Sequence, residues 1–181
     1  MSSEVRSQLA PTGVLRAAIN MGNFLLVTGK TALGDPDGVS PDMARELARR
    51  LDVKCQLVPF ATPGELADAA VEDVWDIGNI GAEPQRAEVM DFTAAYVEIE
   101  ATYLVQPGSS ITSIDDVDKP GMRISVAGGS AYGLWLENNI AQAELCPVSG
   151  GNAAFDQFVE QKMDALASLR PRLLTDVERV P

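Results

Sequence analysis

The sequence contains no histidine among its 181 residues. Histidine is the usual general base near neutral pH, the commonest metal ligand and the partner of the nucleophile in Ser-His and Cys-His sites. Its absence excludes the familiar hydrolase mechanisms that depend on such pairs, and the sequence predicts no metal site and no cofactor. An elimination assisted by a carboxylic acid needs no histidine and stays open.

Cysteine is also scarce, with only Cys55 and Cys146 in the chain. The two residues lie outside any CxxC spacing, and each has apolar neighbours in a strand-like run. The pattern favours two buried free thiols, with a disulfide as the alternative.

Basic residues are few, because 14 Lys and Arg stand against 26 Asp and Glu and give a net charge of -12. Nucleic acids and anionic membranes are bound by clustered Lys and Arg that displace counterions, so we expect no nucleic-acid partner. The N-terminal residues lack the apolar segment of a signal peptide, and no later segment reaches the roughly 18 apolar residues of a membrane-spanning helix. We therefore expect either a protein whose signal was removed or one that stays in the cytoplasm.

Apolar runs and turn signals alternate along the chain as in α/β proteins. In the first half, strands and helices are predicted at Val14–Asn20, Asp42–Leu51, Val53–Phe60 and Pro63–Asp73. The helix at Asp42–Leu51 is predicted to pack through Met43, Leu47 and Leu51. A strand over Ile99–Gln106 stops at a Pro-Gly-Ser-Ser turn, which marks a domain boundary between 106 and 107.

The segment Asp76–Tyr96 is predicted to be a strand, a ligand loop and a second strand that begins at Asp91. Arg86 is the one cation in this segment. A guanidinium offers a rigid fork of donors that matches a carboxylate in bidentate fashion, so Arg86 is a candidate anion anchor. The alternative is an ordinary surface ion pair with Glu83 or Glu88.

The motif Arg-Ala-Glu-Val-Met-Asp-Phe-Thr-Ala-Ala-Tyr at 86–96 resembles a segment of the bacterial family 3 solute-binding proteins. In that family a Thr-Pro-Glu-Arg-like turn leads into an Asp-Phe-Ser/Thr-x-x-Tyr strand. The resemblance extends in the family's order to Gly13–Asn20, Gly121–Ser130 and Met163–Ala167. It implies an α/β fold of two lobes, the periplasmic-binding-protein-like type II architecture, with a ligand cleft between lobe 1 (1–106) and lobe 2 (107–181) that closes about a hinge near Ala101–Pro107.

The resemblance also implies a set of ligand-binding residues. In an open α/β sheet, ligands lie beyond the carboxyl ends of the strands. In lobe 1 the candidate residues are Asn20, Asn23, Phe24, Phe60, Asn79, Gly81, Glu83 and Arg86. Asn20 and Asn23 have a local alternative, because Asn in turns often bonds to its own backbone.

The candidate ligand residues of lobe 2 are Gly129, Ser130, Ala131 and Tyr132, in a glycine-bearing turn before a helix. Backbone N–H groups at a helix N-terminus favour an anion. The resemblance implies that this turn binds the ligand carboxylate opposite Arg86, and the alternative is a plain capped turn.

Three departures from the family pattern change these expectations. The spacing from Asp76 to Arg86 is shorter than is common in the family, and Leu169 stands where the family has an acid that pairs with the ligand ammonium. The ligand is then a carboxylate, or an unusual amino acid whose amine is held by Glu83, Asn20 or Asn23. The segment that returns to lobe 1 in the family is missing before Pro181, which predicts an uncovered lobe 1 face and self-association.

Three functions follow as hypotheses. The first is recognition of a small carboxylate-bearing solute, an amino acid or related organic acid, for transport by an ABC permease in the periplasm, without catalysis. The second is a cyclohexadienyl or arogenate dehydratase-like enzyme in which Glu83 is a general acid. The third is a ligand-sensing module.

Overall fold

The computed structural model describes residues 3–179. The chain divides into two compact units: unit 1 ends at Asp91, and unit 2 begins at Phe92. This division differs from the boundary between 106 and 107 drawn from the sequence. The reason is that the strand at Ala101–Val105 pairs along its whole length with Ala165–Leu169, late in the chain.

Unit 1 is built on a small parallel sheet. Its elements are α1 (Ser3–Leu9), β1 (Val14–Asn20), β2 (Gly29–Lys30), β3 (Pro36–Asp37), α2 (Val39–Leu51), β4 (Lys54–Phe60), α3 (Pro63–Asp68) and β5 (Ile77–Asn79), with short 3-10 turns at Ala69–Glu72 and Arg86–Glu88. The sheet has the order β4-β1-β5, and both pairings are parallel. The strands β2 and β3 form a separate antiparallel pair.

Two predicted elements of unit 1 are wrong in detail. In α2, Leu51 is buried and Leu47 packs against the same apolar cluster, as predicted, whereas Met43 is 46% exposed. Ala44 and Ala48, at i and i+4, are buried beside Leu51 and let the helix lie close to the sheet. The predicted strand from Asp91 is absent from the described residues, because regular pairing resumes only at Ala101.

Unit 2 is a second α/β layer. Its elements are β6 (Ala101–Val105), β7 (Arg123–Ala127), α4 (Ala131–Asn139), β8 (Glu144–Val148), α5 (Gly151–Glu160), β9 (Ala165–Leu169) and α6 (Arg170–Val177), with a 3-10 turn at Ile114–Asp116. The sheet order is β6-β9-β7-β8, with β6 antiparallel to β9 and the other pairs parallel.

The core of unit 2 follows from the alternation of side chains along its strands. In β9, Ala165 and Ala167 join an apolar cluster with Leu136 of α4, and Leu166 joins another with Phe158 of α5. Successive residues of a strand point to opposite faces, so the two helices cover opposite faces of the sheet.

In both sheets the same pair of hydrogen bonds, called the clasp, joins an aspartate just before one strand to the backbone of a neighbouring strand. In unit 1 the N–H of Arg16 donates to the carboxylate of Asp76 at 2.7 Å, and the N–H of Asp76 donates to the carbonyl of Arg16 at 2.8 Å. In unit 2, Arg123 and Asp164 repeat the exchange at 2.8 and 3.0 Å. The guanidinium of Arg16 also pairs with Asp76 at 2.6 Å, and this carboxylate raises the pKa of Arg16.

Both cysteines are free thiols, as predicted, but each is partly rather than fully buried. Burial raises the pKa of the Cys55 and Cys146 thiols, so both stay protonated near neutral pH. None of the helices in residues 3–179 combines the length and the apolar character needed to cross a bilayer.

An apolar groove of about 350 Å³ lies within unit 2, among β6, β9 and α4. Tyr103, Tyr132 and Trp135 contribute its aromatic lining, and Trp135 is 56% exposed. The uncovered face and the self-association predicted for lobe 1 remain predictions.

Candidate functional site

The carboxyl edge of the unit 1 sheet brings three of the predicted ligand residues together. In the parallel register Asn20 lies opposite Phe60, and Ile19 lies opposite Asn79. Asn20, Phe60 and Asn79 are therefore the last residues of three adjacent strands. The loops that carry Asn23, Phe24, Gly81, Glu83 and Arg86 continue from two of these strand ends.

The side-chain carbonyls of Asn20 and Asn23 are used locally. The Oδ1 atom of Asn20 accepts from the N–H of Gly22 at 3.0 Å, and that of Asn23 accepts from the N–H of Leu25 at 3.2 Å. These bonds hold the turn after β1, as the local alternative predicted. Phe24 follows in the same turn and is 38% exposed.

Asn79 links the end of β5 to the beginning of α2. Its Nδ2 atom donates to the carbonyl of Ser40 at 3.0 Å. This hydrogen bond ties Asn79 to α2 and so fixes where the loop after β5 starts. Asn79 therefore supports the site whether or not it touches a ligand.

Arg86 is buried in the loop after β5, with 3% of its surface exposed. This burial contradicts the alternative of an exposed surface ion pair. Its Nη1 atom donates to the carbonyl of Gly81 at 2.6 Å. Burial lowers the pKa of the guanidinium, and the nearby charges of Glu83 and Asp68 raise it. An arginine nonetheless stays protonated in proteins, so the loop encloses a permanent cation.

Glu83 holds the turn that carries Arg86. Its two carboxylate oxygens accept backbone hydrogen bonds, from the N–H of Arg86 at 2.6 Å and from the N–H of Gln85 at 3.0 Å. In both bonds the carboxylate is the acceptor, and together they fix the backbone just before the 3-10 turn at Arg86–Glu88. The same pattern gives no support to Glu83 as a general acid, which must donate a proton.

Asp68 is a neighbour of Arg86 that the sequence analysis missed. It lies at the end of α3, and its negative charge acts to raise the pKa of Arg86. No sequence signal pointed to it, because the two residues are brought together by the packing of α3 beside the sheet.

In unit 2 the turn after β7 has the geometry of a capped helix start. Gly129 has a φ of +67°, a region that favours glycine. The hydroxyl of Ser130 donates to the carbonyl of Ala127 at 2.7 Å and accepts from the N–H of Gly133 at 3.0 Å. The single O–H donor of Ser130 is thus used within the turn, and α4 begins with Ala131 and Tyr132.

Replacing Gly133 with alanine is expected to loosen this turn. A methyl group there would lie 2.8 Å from both the Ala127 carbonyl oxygen and the Ser130 hydroxyl oxygen. We expect a loss of about 1–3 kcal/mol in the free energy of unfolding, measured in urea. The control is Gly29→Ala, where the added methyl meets nothing within 4 Å. Equal stability of the two variants would contradict the crowding argument.

The end of β9 carries no acidic side chain. β9 ends at Leu169, and α6 begins directly with Arg170. The N–H of Arg170 donates to the carbonyl of Glu100 at 2.8 Å. Among the described residues, no group of three His, Cys, Asp or Glu side chains is placed to hold a metal ion.

Comparison with known proteins identifies relatives of this chain. The model of the bacterial extracellular solute-binding proteins, family 3, matches residues 25–173. The L-cystine-binding protein TcyJ of Escherichia coli K12 is 25% identical over 135 residues, which are 74% of this chain and 50% of that protein. The chain therefore spans about half the length of the curated relatives it matches.

Solved structures show the same fold. The ancestral amino acid-binding protein AncCDT-1, a precursor of cyclohexadienyl dehydratase, is 23% identical with a TM-score of 0.73 and covers 92% of this chain and 74% of its own. A binding component of an ABC transporter from Wolinella succinogenes, complexed with lysine, is 24% identical with a TM-score of 0.72, over 90% and 71% of the chains. A point mutant of arginine-bound ArgBP from T. maritima is 17% identical with a TM-score of 0.75, over 96% and 81%. At these identities the likeness shows the fold alone, of the periplasmic-binding-protein type II class.

Proposed function

Since the chain belongs to the bacterial extracellular solute-binding proteins of family 3, we propose that it binds a small carboxylate-bearing solute, an amino acid or a related organic acid. The observation that carries the proposal is the buried cation of Arg86 at the carboxyl edge of the unit 1 sheet. That edge is where ligands bind in open α/β sheets.

The energetics of Arg86 support an anionic ligand. A ligand carboxylate would offer the planar, bidentate partner that a guanidinium fits best. The Arg86 guanidinium is already largely shielded from water, which strengthens its attraction for a carboxylate.

Unit 2 contributes a second proposed anion-binding element in Gly129, Ser130, Ala131 and Tyr132. The Ser130 hydroxyl is occupied inside the turn, so the groups that the turn offers to a ligand are backbone amides at the start of α4. Such amides favour an anion because the helix dipole adds to their own.

The proposed role is delivery of the bound solute to an ABC permease in the periplasm, without catalysis. Relatives support the solute class: TcyJ is named for L-cystine, and related folds are known with lysine, arginine and glutamine bound. Asn20, Asn23, Phe24 and Phe60 would then contact the rest of the solute.

A thermal-shift screen tests carboxylate recognition directly. L-amino acids and organic acids are compared with their carboxamides, which keep the size and lose the negative charge. A ligand that binds only the folded state adds about 2.7 kcal/mol of stability at a hundred times its Kd. We expect stabilisation by some acids and by none of the matching carboxamides. Equal stabilisation by an acid and its carboxamide would overturn the proposal.

A further inference from the structure

The strand β6 is an open edge of the unit 2 sheet. Among the described residues it pairs with β9 alone. The N–H of Arg170 donates to the carbonyl of Glu100, so these two residues are a hydrogen-bonded pair of the antiparallel ladder. Such pairs alternate with non-bonded ones, so the backbone groups of Ala101, Tyr103 and Val105 point away from β9. In residues 3–179, no hydrogen bond outside the pairing with β9 uses these groups.

The sequence of β6 lacks the features that protect edge strands. Ala-Thr-Tyr-Leu-Val contains neither proline nor a charged residue, and most of it favours the extended conformation. By contrast, β8 at the opposite edge has Glu144 and Pro147, and β4 in unit 1 has Lys54 and Pro59. An unprotected edge offers its N–H and C=O groups to another extended strand.

The apolar groove of unit 2 lies beside this edge. Tyr103 lines the groove and packs with the cluster that contains Leu136 of α4. Trp135 and Ile114 also line the groove, and both are exposed. Residues that lie opposite each other on paired strands point to the same face of the sheet. A strand added to β6 would therefore place alternate side chains on the face that carries these exposed apolar groups.

We propose that β6 is a dimerisation strand, which pairs in antiparallel fashion with β6 of a second copy of this chain. In the register centred on Tyr103, the two Tyr103 residues lie opposite each other and Ala101 lies opposite Val105. The outward groups then form about six hydrogen bonds, two for each bonded pair. This contact is isologous and closes as a twofold dimer. It lies in unit 2, apart from the unit 1 face for which the sequence predicts self-association, and it does not depend on the bound solute.

The charges beside β6 favour the antiparallel orientation. Glu98 and Glu100 precede the strand, whereas residues 106–110 are uncharged. Antiparallel pairing places Glu100 opposite Gln106 of the second copy, and parallel pairing would place the two Glu100 side chains together, which is unfavourable. The net charge of -12 opposes association of two copies in general. An uncharged strand is thus a surface where two copies approach at low electrostatic cost.

Sedimentation equilibrium combined with amide hydrogen exchange tests the proposal on the wild-type 181-residue protein. We expect the mass to rise with concentration from one chain to two. The amides of Ala101, Tyr103 and Val105 are expected to gain protection together with this rise, whereas those of Thr102 and Leu104 face β9 and are protected throughout. A protein that stays monomeric, or a dimer in which the three outward amides stay unprotected, would overturn the proposal. Protection that is independent of concentration would overturn it too, because another part of the same chain would then cover the edge.

The variant Ala101→Pro removes an outward N–H and leaves the bonds to β9 in place, since proline is tolerated where the N–H of an edge strand faces outward. By symmetry the loss occurs twice in the dimer, so we expect the dimer Kd to rise about tenfold or more. Ala32→Pro is the matched control, an exposed alanine in a unit 1 turn, and is expected to dimerise like the wild type. Retained protection of Thr102 and Leu104 shows that the Ala101→Pro protein is folded. An unchanged dimer Kd in that folded variant would contradict pairing through β6, and if the variant does not fold, the exchange pattern of the wild type decides.

Discussion

Replacing Arg86 with methionine is expected to raise the Kd for a carboxylate ligand by about thirtyfold to five-thousandfold. The range corresponds to the 2–5 kcal/mol typical of removing one member of a buried, hydrogen-bonded charge pair. Arg86 is 3% exposed, so water cannot replace the lost contact easily. The measurement is titration calorimetry with whichever amino acid or organic acid stabilises the wild-type protein.

A second variant separates charge from geometry. Arg86→Lys keeps the cation but has no planar fork, so we expect it to recover only part of the affinity. Arg50→Met is the control, because Arg50 is an exposed arginine paired with Glu46 on α2. An unchanged Kd in a folded Arg86→Met protein would contradict the role of Arg86 as the anion anchor.

Strands and helices could be predicted from the sequence where the local residue pattern agrees with the packing in the folded protein. The strand at Val14–Asn20 was followed by turn residues and has the predicted limits. The helix α2 was predicted, and Leu47 and Leu51 pack as expected, but Ala44 and Ala48 were missed because alanine carries a weaker hydrophobic signal than Met43. The apolar and aromatic residues after Asp91 suggested a strand, yet a strand also needs a partner, and none is present there in residues 3–179.

The candidate site divides in the same way. Arg86 was singled out because it is the one cation in an otherwise uncharged or acidic loop, which a sequence shows directly. The bonds that Glu83 accepts from the backbone of Gln85 and Arg86 are local, but they depend on how the loop folds and have no sequence pattern that predicts them. The effect of the Asp68 charge on Arg86 depends on where α3 packs, and residues so far apart in the chain leave no local pattern.

Replacing Asp76 with alanine is expected to destabilise unit 1 more than Asp164→Ala destabilises unit 2. Both substitutions remove the acceptor of a backbone N–H, which costs about 1–3 kcal/mol when the donor is left unsatisfied. In unit 1 the guanidinium of Arg16 also loses one of its two carboxylate partners, the one at 2.6 Å that is 5% exposed, and keeps the exposed carboxylate of Asp73 at 2.8 Å. In unit 2 the Arg123 guanidinium keeps its bonds to the carbonyls of Gln161 and Lys162.

The two tryptophans allow each unit to be followed separately in urea. Trp75 adjoins Asp76 and donates to the carbonyl of Leu66 at 3.2 Å, so its fluorescence reports on unit 1. Trp135 lies on α4 and reports on unit 2. Asp76→Ala is measured with Trp135→Phe, Asp164→Ala is measured with Trp75→Phe, and the tryptophan variants alone are the references. Asp76→Asn keeps a neutral acceptor for the Arg16 N–H, so we expect an intermediate loss. Equal losses for Asp76→Ala and Asp164→Ala would mean that the guanidinium pair adds nothing, and the clasp would then stabilise both sheets through its backbone bonds alone.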